Sequence, residues 1–179
     1  MKARALVLML GMIAAGFSLS AKNAVASTAD NAGLQRQVEH QLNMLPYVNA
    51  FDYMNFTVSE NGVVTLSGEV TNPVLKRDAF NAVKRVAGVE RVDNQIAVLP
   101  VSFYDNGLRI RLFRTIYGEP ALQKYGVGAE KNIRIIVANG HVTLVGFVDN
   151  QGDKTIAGIR AGSVPGIFSV DNQLQVAGS

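Results

Sequence analysis

The chain has 179 residues, of which 48% are hydrophobic, 17 are basic, 14 are acidic and none is cysteine. This composition is typical of a globular protein, and it excludes disulfide, thiolate and cysteine-ligated metal chemistry. The basic excess comes from the first 26 residues, because residues 27–179 carry 14 basic and 14 acidic residues. A nucleic-acid-binding protein normally has a much larger basic excess, so no nucleic-acid partner is predicted.

The N-terminal segment has the pattern of a secretory signal peptide. Lys2 and Arg4 precede an apolar run over residues 5–19, which is too short to span a bilayer comfortably, and Ala24-Val25-Ala26 is a small-x-small cleavage signal. The sequence therefore predicts that residues 1–26 are removed by cleavage before Ser27. The alternative is an uncleaved N-terminal anchor.

The rest of the chain contains one internal repeat. Residues 61–98 align without a gap to residues 139–176, and 17 of the 38 aligned positions are identical. The most similar blocks are N-G-x-V-T-L-x-G-x-V near the start of each copy and V-D-N-Q near its end. A period of 78 residues is too long for a solenoid unit and suits a small domain that was copied once.

The first copy predicts the element order α-β-β-α-β. After a polar connector at residues 27–33, apolar residues at helical spacing predict a helix over residues 34–45. Alternating residues predict a hairpin over residues 51–70 that turns at Asn61-Gly62. A helix over residues 76–87 and a strand over 89–98 complete the copy. The linker that follows has only a few residues, so the two domains are expected to touch.

The second copy predicts the same order, with a helix over residues 105–117, a loop over 118–132, strands over 133–138 and 141–148, and a helix near 154–164. That last helix contains two glycines, each of which costs about 1 kcal/mol against alanine. It is therefore expected to be the weakest element.

The two hairpins are expected to differ in their turns. The apolar residues Ile133, Ile135 and Val137 are one residue out of step with Phe56 and Val58. Since a one-residue slip exchanges the two faces of a strand, the second hairpin should have a tight two-residue turn and the first an extra, bulged residue.

The repeated pattern, N-G-x-V-T-L-x-G-x-V, then a helix, then G-V/I-x-x-V-x-N, resembles the BON domain, which is named for bacterial osmotically inducible and nodulation proteins. Both copies carry its residues: Gly62, Val64, Leu66, Gly68, Val70, Gly88, Val92 and Asn94 in the first, and Gly140, Val142, Leu144, Gly146, Val148, Gly166, Val170 and Asn172 in the second. The resemblance implies an α+β fold of two tandem α-β-β-α-β domains, each with a three-stranded mixed sheet and two helices on one face. We assign these domains to residues 30–99 and 104–177.

The same resemblance implies a secreted envelope protein of bacteria that binds phospholipid or protein partners and has no catalytic groups. Ser27 follows the cleavage signal, where lipid-anchored members carry a cysteine. The chain is therefore expected to be soluble in the periplasm and not lipid-anchored.

No catalytic, cofactor or metal site is predicted from the residues. The two histidines stand apart from carboxylate pairs, and Gly126-Val127-Gly128 lacks the third glycine, the preceding strand and the acidic residue of a dinucleotide site. The repeated Asp93-Asn94 and Asp171-Asn172 could suggest a metal, but satisfying local backbone groups is the simpler explanation. An enzyme remains conceivable only if the loop over residues 118–132 forms a site.

The predicted binding residues lie on the first helix of the second domain. Ile110, Phe113 and Tyr117 widen its apolar arc beyond the core stripe, whereas the first copy has polar residues at these positions. Arg111 and Arg114 flank this apolar arc and Arg109 interrupts it. No acid lies between Asp105 and Glu119. Guanidinium groups pair with lipid phosphate, and apolar groups enter the acyl boundary. The predicted site for anionic phospholipid is Arg109, Ile110, Arg111, Phe113, Arg114 and Tyr117.

Two alternatives stay open for the apolar residues. The resemblance favours lipid, because lipid binding belongs to the second domain of tandem members. The other possibility is that Ile110, Phe113 and Tyr117 pack against the first domain. A second candidate interface arises where Ser67 and Glu69 of the first copy become Val145 and Phe147. It would serve either domain packing or a protein partner.

The sequence thus predicts a non-enzymatic envelope binding protein that makes peripheral contact with anionic phospholipid. The alternative function is a periplasmic protein-binding or chaperone-like module used under osmotic or envelope stress.

Overall fold

The computed structural model describes residues 20–127 and 132–178. Residues 1–19 of the predicted signal peptide lie outside the described residues, so cleavage before Ser27 stays a prediction. The first helix is Ser20–Asn43. The prediction of a polar connector at residues 27–33 is therefore wrong, because the helix continues through it. Alanine has the highest helix propensity, and this stretch is rich in alanine and free of proline.

Each half of the chain contains two helices and one mixed sheet. The first half comprises α1 (Ser20–Asn43), β1 (Tyr53–Val58), β2 (Val63–Val70), α2 (Pro73–Val83), β3 (Arg91–Asn94) and β4 (Ala97–Val98). The second half comprises α3 (Phe103–Tyr117), a 3-10 turn (Gln123–Gly126), β5 (Ile133–Ala138), β6 (His141–Val148), α4 (Gln151–Gly162), β7 (Ser169–Asn172) and β8 (Gln175–Val176). The predicted α+β fold of two tandem parts is confirmed.

The long second strand of each hairpin is the centre of its sheet. In the first half, β2 pairs antiparallel with β1 on one side and parallel with β3 and then β4 on the other. In the second half, β6 pairs in the same way with β5, β7 and β8. The predicted third strand is therefore present in both sheets, but each is divided into two short segments.

The repeated asparagines stabilise the break between the two segments of the third strand. The Asn94 side chain donates to the Lys76 carbonyl at 2.8 Å and accepts from the Ile96 amide at 3.2 Å. Asn172 makes the equivalent bonds to Lys154 and Leu174, at 2.7 and 3.3 Å. Each asparagine thus links a strand to the preceding helix. The side chain two residues later, Ile96 or Leu174, is fully buried in the core. The interpretation that the Asp-Asn pairs serve backbone groups is confirmed for the asparagines.

The two hairpin turns differ as predicted. Ala138 pairs with His141 across the two-residue turn Asn139-Gly140, in which both residues have positive φ. In the first hairpin Val58 pairs with Val64 and five residues lie between them, whereas four lie between the equivalent pair, Val137 and Val142, so the first loop is longer by one residue. This extra residue shifts β1 by one position relative to β5 and produces the one-residue difference in their apolar patterns.

Each half buries a core between its sheet and its two helices. The first core contains Leu34, Val38, Leu42, Val64, Leu66, Val70, Leu75, Ala79, Val83 and Ile96. The second contains Leu108, Leu112, Ile116, Leu122, Tyr125, Ile133, Ile135, Val137, Val142, Leu144, Val148, Ala157, Ala161, Val164 and Leu174. The residues that each central strand contributes to its core are separated by even numbers of positions, which places both helices on one face of the sheet.

The two halves touch, and the segment between α1 and β1 makes much of the contact. The Ala50 carbonyl accepts a hydrogen bond from the Ile135 amide at 2.8 Å, and Phe51 packs against the second core. Asp52 fixes this segment, because its buried carboxylate accepts bonds from the Thr71 amide and hydroxyl at 2.7 and 2.8 Å. Phe51 of the first half therefore covers part of the second core.

Candidate functional site

The candidate site is built around the N-terminus of α3. The Ser102 hydroxyl caps the helix by accepting from the Asp105 amide at 3.1 Å. The buried Asp105 carboxylate accepts from the Asn139 and Gly140 amides, at 3.0 and 2.9 Å. These bonds hold the tip of the β5–β6 hairpin against the first turn of α3. The position of the helix relative to the sheet is therefore fixed at this end.

Arg109 is not on the surface predicted for it. It is buried, and it donates to the Val137 carbonyl and to the Asn106 side chain, both at 2.5 Å. Burial lowers the pKa of Arg109, and the nearby carboxylates of Asp105 and Asp52 oppose that shift. Arg109 is buried because it lies one helical turn after Asp105 and above the sheet. Arg109 therefore serves the fold and is unavailable to a ligand at the surface.

Phe113 and Tyr117 also face inward for the most part. The Phe113 ring meets Phe51 of the first half edge-on, with centroids 6.1 Å apart, and packs against Tyr117 at 4.8 Å. The Tyr117 hydroxyl donates to the Ile133 carbonyl at 2.5 Å, and burial raises the pKa of Tyr117 to about 12. For Phe113 the structure supports the alternative left open by the sequence, which is packing against the first domain.

Three of the six predicted residues remain exposed on α3. Ile110 is 49% exposed, and Arg111 and Arg114 are both exposed on the same side of the helix. Neither arginine forms an ion pair among the described residues. The middle of α3 therefore exposes one aliphatic side chain beside two guanidinium groups.

Sequence reasoning missed three exposed aromatic residues beside this surface. Phe103 is 94% exposed, Phe168 is 72% exposed and Tyr104 is 50% exposed. One signal could have revealed Phe168, because the repeat aligns it with Glu90 of the first copy. The replacement of an acid by an aromatic residue is the same kind of difference that singled out Phe147.

The two residues of the second predicted interface have different surroundings. Val145 is buried with Leu99 and Ile136, and Tyr53 of β1 packs against this cluster between the halves. Phe147 is 60% exposed and lines a groove between the halves with a volume of about 400 Å³. Domain packing thus accounts for Val145, and Phe147 remains at the surface.

The loop over residues 118–132 is held by a polar network where it is described. The Tyr125 hydroxyl donates to the Asp153 carboxylate at 2.5 Å and accepts from the Asp149 amide at 2.8 Å. Lys124 contacts both carboxylates, at 2.6 and 2.9 Å. These bonds tie the loop to the N-terminus of α4 and lower the pKa of Asp153. Across the described residues, no group of three or more potential ligands could hold a metal ion.

The solved structures that match the chain are distant from it. The chain resembles CdsD, a structural protein of the type III secretion system of Chlamydia trachomatis, at 15% identity and a TM-score of 0.30, covering 82% of this chain and 94% of that one. A structure of the C-terminal domain of CdsD matches at 14% identity and a TM-score of 0.30, with coverages of 79% and 96%. No curated protein sequence matches the chain.

The family comparison agrees with the internal repeat. The BON domain matches residues 30–100 and again residues 121–178, which together make up more than half of the chain. The second match begins after α3, although α3 packs on its sheet as α1 does in the first half. The two matches include both hairpins and both repeated asparagines, and the chain belongs to the BON domain family.

Proposed function

We propose that this chain is a non-enzymatic binding module of the bacterial envelope, and that its second half binds anionic phospholipid at a membrane surface. The observation that supports the proposal is the exposed side of α3, where Arg111 and Arg114 stand beside Ile110 with no acid between Asp105 and Glu119. Guanidinium groups bind phosphate bidentately, and an adjacent aliphatic group can enter the acyl boundary.

The expected attachment is weak and sensitive to salt. Each basic residue close to an anionic membrane contributes about 1 kcal/mol, so two arginines contribute about 2 kcal/mol, or a factor of roughly 30 in affinity. This is less than the three-arginine site predicted from the sequence, because Arg109 is buried. Among the described residues no helix is both long and apolar enough to cross a bilayer. The contact proposed is peripheral, from the periplasmic side.

Charge reversal tests the site. The variant Arg111→Glu/Arg114→Glu should bind phosphatidylglycerol vesicles about 30-fold or more weakly than the wild type, because attraction is replaced by repulsion. Cosedimentation with the vesicles measures the bound fraction. The matched control is Arg85→Glu/Arg91→Glu, which makes the same charge change at two exposed positions of the first half. An equal loss in both variants would contradict a site on α3, since net charge alone would then explain it.

A protein partner is the second candidate function, and the exposed Phe147 favours it. The groove that Phe147 lines also contains Leu45, Val48 and Met54 from the first half and Arg134 from the second. An apolar side chain of a partner could pack there without any need for anionic charge. Phe147→Ser should then reduce capture of an envelope protein while vesicle binding stays unchanged. Capture that persists in Phe147→Ser would argue against this groove.

A further inference from the structure

Three segments of the second half converge at one end of the domain. The Asp105 carboxylate binds the hairpin tip, the Phe168 amide donates to the Gly140 carbonyl at 2.9 Å, and the Tyr104 hydroxyl donates to the Gly166 carbonyl. The start of α3, the β5–β6 turn and the turn before β7 therefore form one continuous surface. We call it the aromatic end, and its residues are 101–107, 139–141 and 164–168.

The aromatic end exposes large apolar groups although its backbone is well fixed. Val101 and Phe103 are 92% and 94% exposed, and Phe168 is 72% exposed. The Phe168 ring lies against the backbone of Gly140, where an added Cβ would be 2.7 Å from the ring, and beside the imidazole of His141 at 5.8 Å. An apolar surface presented on a rigid support indicates a binding partner more strongly than single exposed residues do.

The first half shows that the fold does not require these aromatic residues. Glu90 occupies the position of Phe168, and its amide donates to the Gly62 carbonyl at 2.9 Å, which is the same backbone bond. The turn beside it carries Glu60, and both glutamates are exposed. The same backbone position thus carries an acid in one domain and an aromatic ring in the other, so folding alone does not explain Phe168.

The charges around the aromatic end identify the kind of surface it suits. Its only acid is Asp105, which is buried and already accepts two backbone bonds. The Arg111 guanidinium reaches towards this end, because a Cβ added at Gly166 would lie 3.8 Å from it. A second copy of the chain docked end to end would bring two Arg111 side chains together, which is unfavourable. An anionic lipid surface offers both an apolar layer and negative charge.

We propose that the aromatic end inserts Phe103 and Phe168 into the acyl boundary of an anionic membrane, while Arg111 and Arg114 lie at the phosphates. This inference rests on the proposed function, and it adds the orientation of the domain and the residues that penetrate. The N-terminus of α3, rather than its middle, is then the deepest part of the helix. Glu60 and Glu90 keep the equivalent end of the first domain out of the membrane.

A single tryptophan tests the insertion, because the chain has none. Phe168→Trp places a fluorescent probe at the aromatic end, and Glu90→Trp places the matched probe at the equivalent position of the first domain. With phosphatidylglycerol vesicles whose acyl chains carry bromine, emission from Trp at 168 should shift to the blue and be quenched. Emission from Trp at 90 should keep the spectrum of a residue in water, because Glu60 still keeps this end out of the membrane.

The outcomes separate the two proposals. Vesicle binding with no more quenching at 168 than at 90 would overturn the insertion and leave the electrostatic site standing. Absence of any vesicle binding by the folded wild type would overturn both. As a second variant, Phe103→Ser/Phe168→Ser should bind about tenfold or more weakly even at about 0.5 M salt, where arginine contacts are screened. Because both side chains are exposed, this variant should retain the wild-type melting temperature.

Discussion

Gly146→Ala is expected to destabilise the second domain by about 3 kcal/mol or more. Gly146 has φ of 123°, and a Cβ added there would lie 1.9 Å from the Asn132 carbonyl oxygen. The clash is with backbone at the start of β5, so no side chain can rotate to relieve it. The strands β5 and β6 would have to separate where Gly146 pairs with Ile133, which breaks the ladder at the start of β5. Denaturant unfolding followed by circular dichroism measures the loss.

Gly162→Ala is the matched control for this prediction. Gly162 is the last residue of α4, and an added Cβ would meet nothing within 4 Å. Alanine there should leave stability unchanged or increase it by up to about 1 kcal/mol. A loss of less than about 1 kcal/mol in Gly146→Ala would contradict the strand geometry described above.

Asp105→Ala is the second substitution expected to have a large effect, with a loss of about 2–4 kcal/mol in the free energy of unfolding. It would leave the amides of Asn139 and Gly140 without their acceptor, and the bond to Gly140 is buried. It would also remove the carboxylate that counters the buried charge of Arg109. Because Asp105 holds the hairpin tip against α3, the aromatic end should lose its shape as well.

The control for Asp105→Ala is Asp171→Ala, which removes an exposed carboxylate bonded only to the side chain of Gln173 among the described residues. Its expected cost is less than about 0.5 kcal/mol. Asp105→Asn keeps a hydrogen-bond acceptor, so its loss in the free energy of unfolding should lie between those of Asp105→Ala and Asp171→Ala. If Asp105→Ala unfolds at the same denaturant concentration as Asp171→Ala, the assigned role of Asp105 is wrong.

The repeat made much of the fold predictable. Because residues 61–98 and 139–176 share their glycines and many of their apolar positions, both hairpins and both following helices could be derived from the sequence, and so could the one-residue difference between β1 and β5. The extension of α1 was missed because serine, asparagine and threonine favour turns as well as helix termini. The division of the third strand was missed because Ile96 continues an apolar run, and only its turn into the core shows the break.

The candidate site was less predictable, because its exposure depends on the other domain. Phe113 belongs to a wide apolar arc in the sequence, and it is Phe51 of the first half that covers it. Nothing local to α3 predicts that contact. Arg109 interrupts the same arc, and its burial depends on the Val137 carbonyl above it. The exposure of Phe103 likewise follows from its place in the first turn, outside the helix-sheet contact.

The most direct test of the central proposal is binding of the wild-type protein to two kinds of vesicle. We expect cosedimentation with phosphatidylglycerol vesicles at low salt and little or none with phosphatidylcholine vesicles. The preference should fall as salt is raised, by roughly the factor of 30 that two arginines contribute. Equal binding to both lipids, or no binding to either by the folded protein, would contradict an anionic phospholipid site and direct attention to a protein partner at Phe147.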